Sequence, residues 1–93
     1  QTKALLLSVE MEVESAHLNY TSAKERLRNA KRAEKASRGI MAAKLNLYEA
    51  GLGSFEPVAS SVKTYFERRY QTIKSRFTLA DSTLKVLRTI GRQ

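Results

Sequence analysis

Few side chains in this sequence could do chemistry, and their spacing limits which chemistry. His17 is the single histidine and Asp81 the single aspartate, so a Ser-His-Asp relay would depend on this one pair. No G-x-S-x-G elbow supplies the nucleophile, and a lone histidine on a helix flank is commonly a plain surface residue. Gly51-Leu52-Gly53 lacks the third glycine and the preceding strand of a dinucleotide-binding loop. With no cysteine there is neither a disulfide framework nor a thiolate metal site, and the redox compartment stays open. The residues point to no catalytic set, no cofactor and no metal site, so an enzyme is not expected.

Charge is the more pronounced feature. The 93 residues carry 17 Lys+Arg against 9 Asp+Glu, a net charge of +8, and the excess is concentrated in residues 19–38 and 57–93. Lys24, Arg28, Lys31, Lys35 and Arg38 recur at three- and four-residue steps, the spacing of one helix face, and Arg69, Lys74 and Arg76 lie partly across from them if the chain doubles back. Such a basic stripe is the footprint of a phosphate binder or a solvated face. No recognition motif or stacking platform accompanies it, because Tyr65, Phe66, Tyr70 and Phe77 fall in apolar stripes and read as packing residues. Nucleic acid therefore has the weaker claim.

The elements that must position these residues are helices. At 42% apolar and 28% charged, the chain is neither a polar disordered tail nor a bilayer-spanning protein. Its longest apolar runs, such as Ala4-Leu5-Leu6-Leu7, are far below the roughly 20 residues a spanning helix needs. From Leu6, apolar or small residues fall at Val9, Val13, Ala16, Tyr20, Ala23, Leu27 and Ala30 in alternating steps of three and four, a coiled-coil seam. The stripe continues as Ala33, Ala36, Ile40, Ala43 and Leu47, and the short steps between Leu27 and Ala36 predict a seam that drifts around the helix. A helix over residues 3–49 would run for roughly 70 Å.

Gly51 can close that helix in the left-handed conformation. Ser54 is placed as the N-cap of a second helix over residues 56–90, with Glu56 at its positive dipole end and Pro57 harmless in its first turn. This helix has two stripes. One is Phe55, Ala59, Val62, Phe66, Tyr70, Ile73, Phe77, Ala80, Leu84 and Leu87, with a stutter at Phe66; the other is Val58, Tyr65, Thr72, Leu79 and Val86. Two edges imply two neighbours, and the expectation is that the Val58 to Val86 edge lacks a partner within the chain. The reading is all-α: a single domain, residues 1–93, folded as a long antiparallel two-helix coiled-coil hairpin with its turn at 50–55.

A family resemblance joins these features. The run Ala42-Ala43-Lys44-Leu45-Asn46-Leu47-Tyr48-Glu49-Ala50-Gly51-Leu52-Gly53-Ser54-Phe55, followed by Val58, Tyr65 and Phe66, then Ser75-Arg76-Phe77, Ala80, Leu84 and Gly91, resembles the C-terminal part of an outer-membrane efflux protein of the TolC-like family. That family has a Tyr-x-x-Gly turn between two long periplasmic helices, then a small/Arg/aromatic triplet and a closing Leu and Gly. Upstream, the residues 9–16 with Tyr20, Ala23, Leu27 and Ala30 are similar to its long helix. The resemblance covers residues 4–91.

It implies a trimer whose helices form a hollow periplasmic α-barrel beneath an outer-membrane β-barrel, working with a periplasmic adaptor protein and an inner-membrane transporter in efflux or type I-like secretion. The chain would then be a fragment of a larger channel subunit, in the periplasmic portion of the outer-membrane machine. Tyr48, Gly51, Leu52, Gly53, Ser54 and Pro57 would shape the periplasmic tip, where the adaptor docks and the bore closes. Where family members carry an acidic Asp-Val-Leu-Asp-like segment after the turn, Glu56-Pro57-Val58-Ala59 keeps at most one acid. The alternative is a stand-alone basic helical interaction module for nucleic acid or an acidic protein, using Lys24, Arg28, Lys31, Lys35 and Arg38.

Overall fold

A computed structural model describes residues 2–91, with side chains from Leu5 onward. Two helices, α1 (Thr2–Glu49) and α2 (Glu56–Gly91), form a hairpin. By its contacts the chain divides into two compact units: Arg28–Lys74, which contains the turn, and Gln1–Leu27 with Ser75–Gln93.

The turn follows from backbone hydrogen-bond accounting. A helix ending at Glu49 leaves its last carbonyls without helical partners. Gly51 takes φ +75°, and its N–H donates to the Tyr48 carbonyl while the Leu52 N–H donates to that of Leu47, at 3.0 and 2.9 Å. These two bonds are a Schellman cap, which requires a left-handed residue at the position of Gly51. The first bond of α2 runs from the Ala59 N–H to the Phe55 carbonyl at 3.0 Å. Phe55, not Ser54, is therefore the N-cap residue, since the cap carbonyl is the one that accepts the first helical bond. Pro57 still lies in the first turn, where a missing N–H costs nothing.

Within the turn-containing unit the helices meet through a mixture of apolar, small and hydroxyl side chains. Val58, Ser61, Tyr65 and Thr72 of α2 are buried, as is Ser37 of α1, with Ala30, Ala33, Glu34 and Met41 half-buried. The Thr72 hydroxyl lies 3.2 Å from the Ala30 carbonyl across the hairpin and 3.2 Å from the Arg68 carbonyl on its own helix. Ser37 donates to the Ala33 carbonyl at 2.9 Å and Ser61 to that of Val58 at 2.8 Å. Buried hydroxyls cost little when bonded in this way, and among the described residues no buried side-chain polar atom lacks a partner.

The second unit uses the same steps. Val9, Val13, Ala16, Tyr20 and Leu27 are half-buried and Ala23 is buried; on α2, Ser82 is buried and Ser75, Leu79, Thr83, Val86 and Thr89 are half-buried. The Thr83 and Thr89 hydroxyls return to the Leu79 and Lys85 carbonyls at 2.8 Å each.

Two sequence expectations need correction. On α1 the contact face does not drift: past Ala30 it keeps its three-four alternation through Glu34, Ser37 and Met41, while Ala36, Ile40, Ala43 and Leu47 are exposed. It is the apolar stripe that leaves the seam. On α2 the Val58, Tyr65, Thr72, Leu79 and Val86 row is the hairpin's own contact row, so it has a partner within the chain. The row with exposed large side chains is the other one, where Phe66 is 58% and Phe77 74% exposed. Both corrections have one cause. A two-helix seam buries whatever lies on its unbroken three-four register, large or small, and leaves the apolar residues off that register exposed.

Candidate functional site

At the tip, the Schellman cap turns Leu52 out to solvent and sets Tyr48 and Phe55 on either side of the turn. Their rings meet edge to face, 5.4 Å between centroids and 67° between planes, a favoured geometry for an aromatic pair. Tyr48, Gly51, Leu52, Gly53, Ser54 and Pro57 are all exposed, and so are Leu45, Leu47 and Phe55. The tip is thus an exposed, largely apolar knob on a hydrogen-bonded turn. Phe55, read from the sequence as the start of a stripe and the end of the resembling run but not as a tip residue, belongs to this knob. The signal was its seven-residue distance from Tyr48 across a glycine cap.

The expected basic residues Lys24, Arg28, Lys31, Lys35 and Arg38 are all exposed on α1. Lys24 lies over the Tyr20 ring at 5.4 Å from its centroid, one helical turn away. Arg38 does something the sequence did not suggest. Its guanidinium reaches across the hairpin to within 5.9 Å of the centroid of the buried Tyr65 ring, a cation–π contact between the helices. The Tyr65 ring in turn lies 5.6 Å from that of Phe66. On α2, Lys74 sits over Tyr70 at 5.7 Å.

His17 and Asp81 are not brought together. His17 lines a shallow depression with Glu10, Val13 and Glu14, whereas Asp81 pairs with Lys85 at 3.1 Å. Asp81 instead lines an open groove of about 930 Å³ in the unit formed by the two chain ends. Leu7, Met11, Ser15, Asn19, Thr78 and Lys85 share that lining, which mixes apolar and polar side chains. Among the described residues no cluster of His, Cys, Asp and Glu could hold a metal ion, and no helix is long and apolar enough to cross a membrane.

Comparison of the chain with protein-family models, with curated proteins and with solved structures returned no match.

Proposed function

We propose that this chain is a wall element of a hollow helical barrel: the last hairpin of an outer-membrane channel subunit for efflux or type I-like secretion, in its periplasmic portion. One observation carries the reading. The hairpin completes its internal seam along the Val58 to Thr89 register and leaves a second row, Phe66, Tyr70, Ile73, Phe77, Leu84 and Leu87, between 43 and 74% exposed. Fully burying one such side chain is worth about 1.5–3 kcal/mol, so an uncovered row of this size favours packing on further helices. In a barrel wall each helix has a neighbour on either side.

The mechanism on this reading is geometric. Superhelical packing holds the bore, and a change of coiling at the tip opens or closes it. Tyr48, Gly51, Leu52, Gly53, Ser54 and Pro57 form that tip, and the Tyr48–Phe55 pair braces it. The adaptor would meet the apolar knob.

The test is cross-linking of the full chain through its lysines. A ladder that stops at three copies supports a trimeric wall; monomer alone, or an unlimited ladder, would sink it. The exposed basic row favours a second reading, a stand-alone module that binds a polyanion. Such a module would hold an oligonucleotide with a steep salt slope, and a wall hairpin would release it at moderate salt.

A further inference from the structure

Arg38, Tyr65 and Phe66 form an unbroken run across one flank of the turn-containing unit, at 5.9 Å from guanidinium to ring and 5.6 Å from ring to ring. The run joins two rows that had looked separate. Along α1, seven-residue spacing extends Arg38 to Lys31, with Lys35 one turn round; along α2 it extends Phe66 to Ile73, with Arg69 between them in sequence. Phe66 and Ile73 are 58% and 43% exposed, and all the cations of this flank are exposed. The flank therefore presents cations along one border and apolar side chains along the other.

We propose that this flank is a docking groove for an acidic amphipathic helix. Such a helix would set Asp or Glu at i, i+3 or i+4, and i+7 against Lys31, Lys35 and Arg38, and apolar residues one step round against Phe66 and Ile73. Both rows of the groove repeat at the helical seven, which suits a helix as the occupant. Charge selects an acidic one, because Lys31, Lys35, Arg38 and Arg69 all lie exposed on this flank. A nucleic acid strand would want successive open rings to stack on, yet in this groove Phe66 stands between Tyr65, which is buried, and Ile73, which has no ring. The inference deepens the wall reading and rests on it only in taking the cover to be a helix.

The experiment titrates the full chain, at a dilution where sedimentation shows monomer, into a fluorescein-labelled three-heptad peptide with glutamate on one edge and leucine on the next. A scrambled peptide of the same composition, phosphatidylglycerol vesicles and a single-stranded oligonucleotide are parallel arms. The groove requires binding that weakens by about tenfold or more in the K31E/K35E variant, a typical scale for close charge pairs. The F66S/I73S variant should weaken it comparably. The charge-reversed variant should instead take a lysine version of the peptide, which shows that it remains folded. Conservative Phe66→Leu should bind as the wild type does. Equal binding of the scrambled peptide, indifference to F66S/I73S, or tighter binding of vesicles or oligonucleotide would each overturn the proposal. Peptide binding without assembly of the chain sinks the wall and leaves the groove, whereas assembly without peptide binding does the reverse.

Discussion

Val58 and Phe77 make a crossed pair that separates the hairpin's internal seam from its outer row. Val58 is 4% exposed in the seam, so Val58→Ala removes two buried carbons at about 0.8 kcal/mol each, and with the cavity left behind the cost is roughly 2 kcal/mol. For a domain of this size that corresponds to a fall of about 8–16 °C in Tm. Phe77 is 74% exposed, so only a quarter of its burial energy of about 2–3 kcal/mol is realised in the hairpin, near 0.6 kcal/mol. Alanine's better helix propensity, worth about 0.5 kcal/mol, offsets that loss. Phe77→Ala should therefore leave the monomer's melting curve almost unmoved.

The assay is circular-dichroism melting at a dilution where sedimentation shows monomer, repeated at high concentration. Dilute, only Val58→Ala should lower the midpoint; concentrated, Phe77→Ala should lower the assembled fraction. If Phe77→Ala costs the dilute hairpin as much as Val58→Ala, or Val58→Ala is silent, the assignment of seam and outer row is wrong.

Three smaller predictions concern single positions. Gly51→Ala forces a Cβ into φ +75° and should cost the hairpin about 1–2 kcal/mol, read as a lower urea midpoint at unchanged slope. Gly39 lies within α1, where an added Cβ meets nothing within 4 Å, so Gly39→Ala should stabilise the dilute hairpin by about 0.8–1 kcal/mol; no gain in a thermal melt would refute this. Thr72→Val keeps the side chain's shape and gives up one shared hydrogen bond, for a loss near 0.5–1 kcal/mol, whereas Thr72→Leu overpacks the 2%-exposed site and should lose about 1–3 kcal/mol by the same melt.

Much of the fold was legible because glycine and periodicity have few alternative readings. Gly51 followed an unbroken helical pattern, and its left-handed φ is what ends α1. The α1 seam from Val9 to Ala30 could be read for the same reason. The face of α2 was less legible, because apolarity misled. Thr72, Ser61 and Ser82 are buried where Phe66 and Phe77 are not, since a hydroxyl bonded to its own helix packs as a small residue and lets the backbones approach. The usable signal was regularity: Val58, Ser61, Tyr65, Arg68, Thr72, Ser75, Leu79, Ser82, Val86 and Thr89 alternate steps of three and four without a break, while the larger apolar stripe stutters at Phe66.

The candidate site was legible in its parts and not in its assembly. The exposed basic row was apparent from spacing alone. That Arg38 would lie on Tyr65, and so bring the row beside Phe66, depends on the hairpin register that Thr72 and Ala30 define. Hydropathy carries no information about register between two helices when the residues that determine it are hydroxyls and alanines.

The central claim is that the outer row of α2 packs on further helices, and thiol accessibility measures this directly because the chain has no cysteine of its own. Phe77→Cys on the outer row and Gln71→Cys, at an exposed polar position of α2 outside both rows, would be reacted with a maleimide in dilute and in cross-linked, assembled samples. The account predicts equal rates when dilute and selective protection of Cys at position 77 on assembly. Equal rates at both positions in the assembled sample would contradict it.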